Sequence, residues 1–103
     1  MSGSATFFLD GDRLRVSGDL SLDSVADLWA RSRALFETGT PPRLVDVSAV
    51  TRADSAGIAL VVEWFAMARA RGTDLRIEGV SPTMGDIIRL ADLQELLSGV
   101  SDS

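Results

Sequence analysis

The chain has no cysteine, no histidine and no lysine, and each absence closes a class of chemistry. Without cysteine there is neither a disulfide framework nor a thiolate nucleophile. Without histidine the commonest metal ligand and the commonest general base are both missing. A phosphate loop needs its lysine, and neither GxxxxGK[ST] nor GxGxxG occurs, so an ATPase reading is closed. Long hydrophobic runs are scarce too. The charge-free apolar run Ser55 to Val62 falls far short of the ~20 residues that cross a bilayer as a helix. The opening MSGSATFFLDGD lacks the basic and apolar regions of a secretory signal, so a cytoplasmic address is expected, with no direct insertion into a membrane. All ten cations are arginines scattered along a chain of net charge −5. A nucleic-acid surface needs a concentrated basic patch, so a protein or small-molecule partner is expected instead.

What is present fits one packed domain. The 103 residues are 46% hydrophobic and 24% charged, within the range of globular proteins and too few for two cores. The domain is expected over residues 5–98, with flexible termini at 1–4 and 99–103. Phe7-Phe8-Leu9 and Arg13 to Ser17 flank Asp10-Gly11-Asp12, which reads as a β-hairpin. Ser21 or Asp23 can cap a helix carrying Val25, Leu28, Trp29, Leu35 and Phe36 at helical spacing, stopping by Gly39 before Pro41-Pro42. Trp29 and Phe36 fit its core stripe. Arg43 to Val47 suits a strand buried on both faces. A helix from Asp54 or Ser55 to about Arg71 is closed by Gly72, and Asp74 to Glu78 alternates like a half-exposed strand. Ser81-Pro82 opens a further helix, and Asp92 to Leu97 forms a last short one. The order β-β-α-β-α-β-α-α predicts an α/β fold: a four-stranded, mostly parallel sheet with an antiparallel N-terminal edge hairpin and helices mainly on one face.

The most informative stretch is TRADSAGIALVVEW, residues 51–64. The paired carboxylates elsewhere, Asp10/Asp12 and Asp19/Asp23, read as turn and cap residues. Ser55 lacks an activating base, and Asp54 beside it is not positioned as one, so no catalytic residue, cofactor or metal is expected. As a helix start, Ser55 satisfies an orphan backbone donor worth about 1 kcal/mol. The same position tolerates a phosphate, which would meet the positive end of the helix dipole. Along the helix, Ile58, Val61, Val62, Phe65 and Ala68 share the face that docks on the sheet. Leu60, Trp64 and Met67 fall on the opposite side. There, Trp64 either sits at the core boundary under a neighbouring loop or, with Leu60 and Met67, forms an outer apolar row. Three apolar residues on one outer stripe favour a partner-binding surface.

These residues resemble the STAS domain family. RLVDVSAVTRADSAGIALVVEW, ARARGTDLRIEGVSP and DIIRLADLQELL follow the family's order of strand, Asp-Ser-x-Gly, helix, glycine stop, strand, Ser-Pro and leucine-rich terminal helix. SGDLSLDSVADLW fits its N-terminal half less specifically. The resemblance implies a non-catalytic protein-interaction domain with Asp54, Ser55, Ala56 and Gly57 at the partner-facing site. DSAGIALVVEW and LWARSRALF look like the branch that forms the small cytoplasmic STAS subunit of Mla-type phospholipid ABC transporters of Gram-negative bacteria. That branch implies binding to the transporter's ATPase subunit, peripheral to the inner membrane, in support of outer-membrane lipid asymmetry. The alternative branch is an anti-sigma factor antagonist, in which Ser55 would be the phosphoacceptor of an anti-sigma factor kinase.

Overall fold

A computed structural model describes residues 5–38 and 41–90. The expected last helix, the Gly39 stop and the expected flexible termini lie outside the described residues. The elements are β1 (Ala5–Asp10), β2 (Arg13–Leu20), α1 (Leu22–Glu37), β3 (Leu44–Ala53), α2 (Ser55–Ala70), β4 (Arg76–Glu78) and α3 (Pro82–Leu90). They follow the predicted order as far as the description runs. The sheet order is β1-β2-β3-β4; β1 pairs antiparallel with β2, while β2-β3 and β3-β4 are parallel. The hairpin turns at Gly11-Asp12, with Asp10 opposite Arg13.

Alternation along the strands separates two faces of the sheet. Leu14, Val16 and Leu20 of β2, Val45 and Val47 of β3 and Ile77 of β4 are buried, together with Leu28 and Phe36 of α1 and Ile58, Val61 and Ala68 of α2. The opposite face carries ion pairs. Arg13 and Arg15 reach Asp46 at 3.7 and 3.6 Å, and Arg13 reaches Glu78 at 3.4 Å. Burial alone would raise the Asp46 carboxyl. The Ser48 hydroxyl and backbone N–H, donating over 2.7 and 2.9 Å, and the two arginines outweigh that and hold it below the ordinary aspartate value.

α2 ends as its sequence predicts. Gly72 adopts φ 78°, the left-handed geometry that glycine enters without a Cβ penalty. The Thr73 and Gly72 N–H groups then donate back to the Ala68 and Arg69 carbonyls, each over 2.9 Å, in a Schellman arrangement.

The expected outer row of α2 is not an outer row. Leu60 and Trp64 are 4% and 0% exposed, and Met67 is half-buried. α2 turns a narrow stripe of Ser55, Ala59, Glu63, Ala66 and Ala70 to solvent. α1 runs along its other side and α3 touches it as well, so an all-round apolar helix has neighbours on several sides. The Trp64 indole stacks on Phe36 of α1, with centroids 6.3 Å apart and planes 15° apart. Its Nε1–H donates to the Ser32 hydroxyl over 2.8 Å. Leu28, Ser32 and Phe36 form the buried seam of α1. Trp29, the other aromatic expected in that stripe, is only partly buried and lies under the Arg33 guanidinium.

Candidate interaction site at the helix N-termini

α1 and α2 both begin at the end of the sheet where β2 and β3 finish. Two positive helix ends are therefore side by side. Asp54 joins them. It is the N-cap of α2, where Oδ1 accepts the Gly57 N–H at 3.1 Å, and its Oδ2 accepts the N–H of Leu22, the first residue of α1, at 3.2 Å. The Asp54 N–H in turn donates to the Leu20 carbonyl at 3.3 Å. Burial would raise this carboxyl; the backbone amides of Gly57, Leu22 and Ala56, with Arg52 nearby, outweigh it and keep the group below the ordinary aspartate value of 3.8. One carboxylate thus answers orphan donors of two helices.

The α1 side has its own polar closure. Ser24 Oγ accepts the Ser21 N–H at 3.1 Å and donates to the Asp19 carbonyl at 2.5 Å. Gly57 brings the two junctions into contact. A Cβ at this position would overlap the Leu20 carbonyl oxygen and crowd the Leu20 side chain, so no other residue lets the first turn of α2 sit so close to β2.

The Asp-Ser-x-Gly stretch is thereby divided by role. Asp54 and Gly57 are structural. Ser55, expected as a possible cap, is instead the first residue of α2 and is exposed, and no hydrogen bond ties its side chain among the described residues. Both oxygens of Asp54 are committed to backbone donors, so that carboxylate is not free to take a proton from the Ser55 hydroxyl. No group of three metal-ligating side chains occurs among the described residues.

Next to Ser55 a shallow groove of about 440 Å³ opens between the two helices. Val25, Ala26 and Trp29 of α1 form one wall, Ala56, Ala59 and Leu60 of α2 the other, with Glu63 as its charged member. Leu22, at the start of α1, is 73% exposed. The structure therefore keeps Asp54, Ser55, Ala56 and Gly57 together at one end. From the expected apolar row it brings only Leu60 to that groove, while Trp64, one turn further along α2, is buried in the core.

Two residues central to this arrangement escaped the sequence. Leu22 joins the site through a backbone bond to a residue 32 positions away, which no local pattern encodes. Ser32 did leave a signal: a serine interrupting the apolar seam of Leu28 and Phe36 needs a buried partner, and Trp64 supplies it.

A family model described as "Mlab, STAS domain" matches residues 7–98. The chain is 29% identical over 93 residues to the intermembrane phospholipid transport system binding protein MlaB of Escherichia coli K12, covering 90% of this chain and 93% of that protein. The MlaB of Shigella flexneri matches to the same extent. Among solved structures, the anti-sigma factor antagonist SpoIIAA in its unphosphorylated form has a TM-score of 0.71 at 18% identity, covering 96% of this chain and 87% of that one. The phosphorylated form from Bacillus has a TM-score of 0.68 at 18% identity, covering 96% and 90%. A sulfate transporter family protein from Wolinella succinogenes has a TM-score of 0.69 at 17% identity, covering 90% and 79%. At such identities the structural likenesses establish the fold.

Proposed function

The chain belongs to the STAS domain family, and we propose that within it the protein is the small docking subunit of an Mla-type phospholipid ABC transporter. In this reading it binds the transporter's ATPase subunit at the cytoplasmic face and supports its activity without catalysing a reaction itself. The observation that carries the reading is the match to MlaB, a phospholipid transport system binding protein, over 90% of this chain and 93% of that one. The site geometry supports a docking role. Asp54 and Gly57 are consumed by the fold, whereas Ser55, the exposed Leu22 and the adjoining groove face outward. Among the described residues no helix is long and apolar enough to cross a membrane, so membrane proximity would come through the transporter.

The test is co-expression with the ATPase subunit of the same organism's phospholipid transporter. The wild-type chain is expected to copurify with it. Ser55→Arg is expected to cut recovery at least about ten-fold, a loss of ~1.4 kcal/mol, while unfolding stability stays within ~0.5 kcal/mol, as for exposed positions generally. No copurification of the wild type overturns the reading. Full binding by a folded Ser55→Arg variant overturns the placement.

One observation favours a second reading, an anti-sigma factor antagonist. The Ser55 hydroxyl is exposed at the positive end of α2, where a phosphate meets the favourable end of the helix dipole while the Asp54 carboxylate repels it. Incubation with the organism's anti-sigma factor kinases and ATP, followed by mass spectrometry, decides it; absence of phosphate on Ser55 ends this alternative.

A further inference from the structure

The two edges of the sheet are built differently. β4 is three residues long, and its ends are the charged Arg76 and Glu78; shortness and charge are the usual guards against strand pairing. β1 has neither guard. Its Ala-Thr-Phe-Phe-Leu run is uncharged from Ala5 to Leu9, and it ends the sheet with no strand beyond it among the described residues. Phe8 and Leu9 are 57% and 46% exposed, two of the four large apolar side chains that are exposed among the described residues.

We propose that β1 is a self-association edge, pairing antiparallel with β1 of a second copy of this chain to make a two-fold dimer with one continuous sheet. The backbone supports this choice. Asp10 and Arg13 close a two-residue turn, a position where the two strands exchange hydrogen bonds. Alternation then turns Thr6, Phe8 and Asp10 toward β2 and leaves the N–H and C=O groups of Ala5, Phe7 and Leu9 facing outward. A two-fold axis through Phe7 sets Phe7 against Phe7, Ala5 against Leu9 and Thr6 against Phe8. Each pair lies on one face of the sheet, all the outward backbone groups find partners, and about six hydrogen bonds form. No charged strand residue faces another in this register, and the Arg31 guanidinium that lies over each Phe7 ring at 5.2 Å, and so is drawn toward the axis, is paired with Asp27 at 3.0 Å. Pairing β1 with β4 would instead build an open head-to-tail polymer, and the guarded β4 opposes it; β1 against β1 closes. β2 lies between β1 and β3, the strand that leads into α2, so Ser55 of each copy is set back from the new seam by about two strand spacings.

Five residues per copy bury far less than the ~1,600 Å² of a standard interface, so the midpoint is expected on the order of 0.1 mM. Sedimentation velocity on the full chain from about 10 µM to 1 mM reads the mass. Amide hydrogen exchange across the same series reads the edge. At the highest concentration about one fifth of the chain is monomeric under that midpoint, so exchange of the Phe7 and Leu9 amides should slow about five-fold. The Phe8 amide, already bonded to β2, should not change. Phe8→Lys with Leu9→Lys, at two exposed positions and checked for folding by circular dichroism, should remain monomeric throughout. A monomer up to 1 mM, a dimer that leaves Phe7 and Leu9 exchange unchanged, or a lysine variant that dimerises equally well each overturns the proposal. None of these outcomes depends on whether the ATPase is the partner.

Discussion

The two ends of the 51–64 stretch lie on the same helix and do opposite work. At its start, Ser55 is exposed and leaves its hydroxyl to solvent, with the cap supplied by Asp54. Two and a half turns on, Trp64 is fully buried, stacked on Phe36 and bonded to Ser32. The residue type usually associated with interfaces has become part of the helix seam, and the small polar residue has become the surface feature. A tryptophan is an interface anchor only where its indole lacks an intramolecular pocket. Here α1 provides both the stacking partner and the acceptor.

The largest test of that contrast is Trp64→Ala. It empties the α1–α2 seam and is expected to cost about 3–5 kcal/mol in denaturant unfolding. Ser32→Ala leaves the indole N–H buried without an acceptor and should cost about 1–3 kcal/mol. A Trp64→Ala protein as stable as wild type would return the indole to the surface. Gly57→Ala tests the other end. The added methyl must push the first turn of α2 away from Leu20, at about 1–3 kcal/mol by the same measurement, and the displaced Ser55 should bind its partner less well. The smallest effect is pH-dependent. The Asp54 carboxyl lies below its ordinary value of 3.8 in the folded state, so its stabilising contribution is fully present above that pH. The contribution is lost as pH falls through 3.8 toward the folded value. Asp54→Asn keeps one acceptor and removes the titration, so its stability should fall less steeply below about pH 4. A residual acid slope is expected from Asp46, which is lowered likewise. An unaltered slope in Asp54→Asn would mean that the carboxylate does not link the two helices.

Much of this was legible in the chain. Alternation and helical spacing revealed the hairpin, the parallel core and all three described helices, because each element must bury one apolar face. The Gly72 stop was equally plain, since few other residues enter the left-handed conformation that ends α2. The Asp-Ser-x-Gly stretch could be located, but its division of labour could not. Asp54 and Ser55 are both good caps by residue type, and the choice between them was made by the Leu22 N–H, which only the folded chain brings to the second carboxylate oxygen.

The sequence alone determined which segments become strands and helices, the absence of cysteine, histidine and lysine chemistry, and a family resemblance carried by spacing. Tertiary structure decided which apolar faces meet. A hydrophobic period records that a face needs cover, not which neighbour supplies it. Thus the row of Leu60, Trp64 and Met67 could be read from the chain, whereas the burial of Leu60 and Trp64, with Trp64 seated against α1, and the consequent shift of the open surface to Ser55, Leu22 and the groove beside them, arose only from packing.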